Sequence, residues 1–134
     1  MAAQANITLN SVVFNPAGVS GGVARWVARG SGVPNGFQTL AITLTQPSPT
    51  GKVFRVNFKL VVPVVQAVDS VCACAGTLLY TDQVEQTYLI YVGSTTADRL
   101  DLYNKTGEMF HAAGVPDASG PFYDAIVNLV LPTG

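Results

Sequence analysis

Residues 53–65 read VFRVNFKLVVPVV. Over the first eight, Val56, Phe58 and Leu60 alternate with Arg55, Asn57 and Lys59; valines then run on, broken by Pro63. Period-two alternation places these sets on opposite faces of a strand, one greasy and one polar. Val61, Val62 and Pro63 mark where this strand is expected to leave the sheet for a loop.

Segments of similar character surround it. ITLNSVVF at 7–14, GVARWVA at 22–28, FQTLAITLTQ at 37–46, KVFRVNFKLVV at 52–62 and DQVEQTYLIYV at 82–92 are rich in β-branched and aromatic residues. The turn-forming stretches NPAG, GSGVPNG, QPSPTG and the CACAG region separate them, which predicts hairpin-linked, mostly antiparallel strands. GVSGG at 18–22 lacks the strand-to-helix context of a phosphate loop and reads as a hairpin turn. Thr39, Ala41, Thr43 and Thr45 alternate with Leu40, Ile42 and Leu44, and Gln83, Glu85 and Thr87 alternate less cleanly with Val84, Gln86 and Tyr88. One sheet face is therefore polar, and the other needs a cover.

The cover is expected from the last third, where the period changes. In STTADRLDLYNKTGEMFHAAG, Thr95 suits an N-cap with Asp98 closing a capping box, and Gly114 ends the pattern. Leu100, Tyr103, Gly107, Phe110 and Gly114 share a stripe, flanked by Leu102 and Met109. SGPFYDAIVNLVL suits a second, shorter helix with Pro121 in its first turn, although its apolar content would also suit a strand. Strands followed by helices define an α+β chain, and 134 residues suit a single domain spanning 1–134.

Composition narrows the function. Hydrophobic residues make up 49% and charged residues only 11%, well below the quarter or so usual in soluble domains. Such a surface is expected to bury itself against other copies. No apolar run reaches the roughly 18 residues of a membrane span, and MAAQANITLN has no secretory pattern, so neither membrane attachment nor export is expected. Charge is unevenly placed: residues 1–68 hold five cations and no carboxylate, whereas 69–134 hold two cations and eight carboxylates. A net charge of −1 can thus conceal an anion-binding surface.

Catalysis is not expected. His111 is the sole histidine and falls near a helix end, where an imidazole can meet the last carbonyls. No nucleophile, base and orienting group converge in the pattern, no acid–base carboxylate pair stands out, and no cofactor or metal is implied. Cys72 and Cys74, spaced C-x-C, cannot easily bridge each other. They fit buried thiols, bridges to neighbouring chains, or a zinc site shared among several chains. Trp26 reads as a core or interface aromatic.

Taken in succession, GGVARWVARG at 21–30, TLAITLTQ at 39–46, FRVNFKLVVPVV at 54–65, VCACAG within 71–76, YTDQVEQTYLIYVGSTTADRLDLY at 80–103 and DAIVNLVLP at 124–132 resemble the coat proteins of levivirus-type single-stranded RNA bacteriophages. The resemblance implies an N-terminal β-hairpin, a five-stranded antiparallel sheet and two C-terminal helices. It further implies an intertwined dimer with one ten-stranded sheet, each chain laying its helices over its partner, and dimers closing into an icosahedral shell. The loop Val68 to Gly76 would make contacts at the symmetry axes, placing Cys72 and Cys74 as candidates for disulfides between dimers.

In that family the inner sheet face binds a hairpin of the phage's own RNA, repressing replicase translation and marking the genome for packaging. The matching positions here are Thr39, Ala41, Thr43 and Thr45, then Arg55, Asn57 and Lys59, then Gln83, Glu85 and Thr87. Several relatives carry an aromatic near Gln83 and a basic residue near Thr39 or Thr45, and both are replaced here; general encapsidation of RNA requires only the basic face. The function expected is a virion subunit, assembled in the bacterial cytoplasm, whose partners are itself and single-stranded RNA. The competing expectation is a non-viral α+β module binding a protein or carbohydrate on the same polar face.

Overall fold

A computed structural model describes residues 4–30, 32, 34–66, 76–112, 115–116 and 120–131. The chain divides into two compact units, Met1–Val92 and Gly93–Gly134.

The first unit is an antiparallel meander. Its strands are β1 (Ile7–Leu9), β2 (Val12–Ser20), β3 (Val23–Ala28), β4 (Gln38–Thr45), β5 (Val53–Val65) and β6 (Leu78–Tyr91), and they lie side by side in chain order. The sheet therefore has six strands rather than the expected five, because the N-terminal hairpin β1–β2 is not separate from it but shares β2 with the run β2–β6.

Two hairpins turn in two residues. Asn10 and Ser11 (φ 47° and 67°) join β1 to β2, while Gly21 and Gly22 (φ 59° and 77°) join β2 to β3. Positive φ at both central residues gives a turn whose twist matches that of the strands it joins. GVSGG therefore does hold a hairpin turn, at its last two glycines.

ITLNSVVF, by contrast, is not one strand. The chain reverses at Asn10–Ser11, and NPAG, expected as a turn, lies inside β2. The pairing of β2 with β3 slips between Pro16 and Gly18. A bulge there accommodates a proline that cannot donate to the ladder.

β5 also runs further than expected. Pro63 pairs with Thr81 and Val65 with Leu78, so the strand does not leave the sheet at Val61–Pro63. Pairing with β4 ends at Thr39–Val61, so beyond that point β5 has a ladder only on its β6 side. A proline is tolerated on such a half-open strand. Past the strand end, Gln66 N–H donates to Thr77 O and Gly76 N–H to Gln66 O, both at 2.8 Å. Cys72 and Cys74 lie outside the described residues.

The core of this unit gathers at its β2–β3 end. Phe14, Trp26 and Ala28 are buried, with Ile7, Val12, Ala24, Leu40, Ile42 and Leu60 packed against them. Trp26 Nε1–H donates to Ala5 O at 2.8 Å, so the indole's polar edge is satisfied as its ring is buried. Further along the same face Phe58 and Tyr88 meet edge-on, with ring centroids 5.7 Å apart.

The second unit begins with helix α1 (Thr96–Glu108). Thr95 Oγ1 accepts from Asp98 N–H at 3.2 Å while Thr95 N–H donates to Asp98 Oδ2 at 3.4 Å, the reciprocal capping box expected from the sequence. The helix stops at Glu108, short of Gly114, with glycine, a poor helix former, at position 107 of its last turn. His111 therefore lies beyond the helix, in a two-residue ladder of β7 (His111–Ala112) with β8 (Val115–Pro116). The second helix does form: α2 (Pro121–Tyr123) has Pro121 at its first turn and continues as a π-helical turn over Asp124–Asn128. Leu129, in the left-handed region at φ 56°, ends it.

Candidate nucleic-acid interface

Strand register, more than any single strand, assembles the polar face. Residues opposite one another across a ladder project from the same face. Thr39, Val61 and Gln83 form one such row; Ala41, Lys59 and Glu85 the next; then Thr43, Asn57 and Thr87; then Thr45, Arg55 and Leu89. All nine residues selected on sequence, Thr39, Thr43, Thr45, Arg55, Asn57, Lys59, Gln83, Glu85 and Thr87, stand on this one face. The alternate residues Leu40, Ile42, Val56, Phe58, Leu60, Val84 and Tyr88 belong to the other.

The face extends beyond the residues the spacing selects. Register with β4 adds Val23, Arg25 and Val27 from β3, and β6 adds Leu89 and Tyr91, both exposed. Continuing the odd-numbered alternation from Gln83 leads to Leu89 and Tyr91. Nothing in VARWVA singles out Arg25, because its neighbours of the same parity are valines.

Hydrogen bonding divides the polar groups. Asn57 Nδ2 donates to Glu85 Oε1 at 3.0 Å and to Thr87 Oγ1 at 2.9 Å, tying β5 to β6 side chain to side chain. Lys59 stands opposite Glu85, yet the one ion pair among the described residues is Lys105–Asp101 on α1, at 2.8 Å. Arg55 and Lys59 are exposed and carry no carboxylate partner among those residues. Unneutralised cations beside hydroxyls and an amide at strand spacing suit a polyanion, with charge for phosphates and neutral donors and acceptors for bases.

His111 is exposed and stands in the second unit. Among the described residues no three potential metal ligands come together, and no helix is long and apolar enough to cross a membrane.

The same fold occurs in solved particles. A virus-like particle of Beihai levi-like virus 21 superposes with a TM-score of 0.79 at 23% identity, covering 99% of this chain and 100% of that one. The bacteriophage EMS014 coat protein gives 0.77 at 22% identity, covering 98% and 100%. The bacteriophage GA protein capsid is more distant, at 0.63 and 18% identity over 88% and 84%. No curated protein matches the sequence. The model of the levivirus coat protein family matches residues 2–130, and the chain belongs to that family.

Proposed function

We propose that this coat protein acts as one domain, dimerises through its sheet, assembles into an icosahedral shell and holds single-stranded RNA on the polar face turned inward. The observation that carries the RNA reading is the placement of Arg55 and Lys59 on β5, a strand interior to the sheet. Charges on an open edge often serve only to block unwanted pairing, but an interior strand over this stretch has no edge to guard. Identical copies repeat these cations around a shell, so each subunit needs few.

Dimerisation is supported by the contrast between the two ends of the sheet. β1 has three residues, whereas β6 has fourteen, LLYTDQVEQTYLIY, without Lys, Arg or Pro. A long edge lacking those guards is suited to pairing with a second copy of itself, joining the two β2–β6 runs into one ten-stranded sheet with a short β1 strand at each outer end. Assembly into shells is supported by family membership and by the particles formed by structural relatives. Repression of translation through an RNA hairpin, assembly in the host cytoplasm and bridging between dimers by Cys72 or Cys74 complete the proposal on the family's pattern.

Expression of the chain alone tests it. Electron microscopy of the lysate should show uniform shells, with an ultraviolet absorbance ratio typical of packaged RNA. A dispersed dimer free of nucleic acid would sink the proposal and favour the protein- or carbohydrate-binding module.

A further inference from the structure

Arg25 belongs to a row that crosses five strands: Gly18 on β2, Arg25 on β3, Ala41 on β4, Lys59 on β5 and Glu85 on β6. Two cations here alternate with the two smallest side chains available. Gly18 sits at φ 110°, and a Cβ built there would meet nothing within 4 Å, so the space beside Arg25 is open. Ala41 leaves only a methyl group between the two cations. Strands are spaced about 4.8 Å apart, which separates the Arg25 and Lys59 backbones by roughly 10 Å. The row is a shallow trough with a cation on each side.

Two plainer roles for Arg25 fit poorly. It does not guard an edge, because β3 lies between β2 and β4. Nor is it held in an ion pair among the described residues: its side chain is exposed, and its guanidinium Nη1 donates to Ser20 Oγ, at 3.5 Å. Glu85, at the far end of the row, accepts from Asn57, and no ion pair joins it to Lys59. Counting Arg25, the face carries three described cations, with Arg55 and Lys59, against the one carboxylate of Glu85.

We propose that Arg25 is a further phosphate-binding residue, and that a single-stranded RNA segment crosses the strands along this row with its backbone between Arg25 and Lys59. This rests on the reading of the polar face as the RNA face, and it shifts the site's boundary from β4 to β3. Arginine suits the role, since its planar fork can hold a phosphate through two donors.

The test is binding of a single-stranded oligouridine to the dimer across roughly 50–200 mM salt, where the logarithm of affinity falls by about 0.7 per decade of salt for each phosphate contact. Arg25→Gln should flatten that slope by about 0.7 for each Arg25 engaged, Arg25→Lys should restore it, and Lys105→Gln, an equal charge change on α1, should leave it alone. If Arg55→Gln and Lys59→Gln flatten the slope while Arg25→Gln does not, the inference fails and the RNA face stands. If none of the three has any effect, the face itself is wrongly assigned. An equal loss in Lys105→Gln would reduce Arg25 to a long-range charge effect and overturn the inference. Ala41→Glu provides a second route, should Arg25→Gln not remain dimeric: a carboxylate set between the two cations should weaken binding at least tenfold, and unchanged affinity would overturn the proposal.

Discussion

The two units of this chain solve the burial problem in opposite ways. In Met1–Val92, Phe14 is 1% exposed and Trp26 7%, each enclosed by side chains of the same meander. In Gly93–Gly134 none of the described side chains is buried: Tyr103 is 71% exposed, Ile126 63% and Leu129 84%. What orders the second unit is short-range. The Thr95–Asp98 capping box, Arg99 Nη1–H to Ser94 O at 2.7 Å and Asn128 Nδ2–H to Asp124 Oδ1 at 3.0 Å all link residues at most five apart. Phe110 and Phe122, with ring centroids 6.0 Å apart, are its one aromatic pair among the described residues. Local rules give this unit its helices, while its described apolar side chains stand exposed or half-buried. The proposed dimer would supply a surface for them.

The largest effect should come from the self-contained unit. Trp26→Ala removes the largest buried ring and leaves Ala5 O without its donor, which should cost about 3–5 kcal/mol. Chemical denaturation of the disassembled protein measures it. A loss below about 1 kcal/mol would mean that the β2–β3 cluster is not the core.

Ile126→Asp probes the opposite case. Judged from one copy, an exposed side chain should tolerate change within about 0.5 kcal/mol. If a partner covers Ile126, each copy loses roughly 1.5–3 kcal/mol of burial and the loss occurs twice in a symmetric dimer, weakening association more than about a hundredfold. Sedimentation over a dilution series separates these outcomes. Dimers and shells of unchanged stability would show that the second unit's apolar side chains stay open to solvent, and the contrast between the units would lose its meaning.

That contrast also explains what could be read in the sequence. β5 was legible because its two faces differ in kind, polar at Arg55, Asn57 and Lys59 and apolar at Val56, Phe58 and Leu60. The capping box and Pro121 were legible because helix starts follow local chemistry. The Asn10–Ser11 reversal was hidden, since a two-residue turn between β-branched stretches leaves almost no compositional trace and NPAG offered a stronger signal nearby. Pro63 suggested a strand end because the local rule does not know which side of β5 carries a neighbour. Arg25 escaped for a similar reason: its membership of the polar face comes from pairing with Ala41 across β3 and β4, not from alternation along its own strand.

The smallest effects separate two local devices on one helix. Thr95→Ala leaves Asp98 N–H without its side-chain acceptor and should cost about 1 kcal/mol of stability, visible as lost helicity and a lower melting temperature. Asp101→Asn should do less, because the Lys105–Asp101 pair at 2.8 Å spans one helical turn on an exposed surface, where solvent and salt screen it. Its hydrogen bond to Asp101, and then the charge of that carboxylate, raise the Lys105 pKa above its ordinary 10.5. The sign follows from linkage: a lysine that binds its proton more tightly when folded adds stability below its unfolded pKa and loses it as pH rises through the raised folded value. Wild type and Asp101→Asn should therefore differ slightly at neutral pH and converge in strong alkali, and the neutral-pH gap should shrink with added salt. A gap for Asp101→Asn as large as that for Thr95→Ala, or one indifferent to salt, would mean that the pair is covered in the assembly, as proposed for Ile126, and would extend the partner's footprint to the polar side of α1.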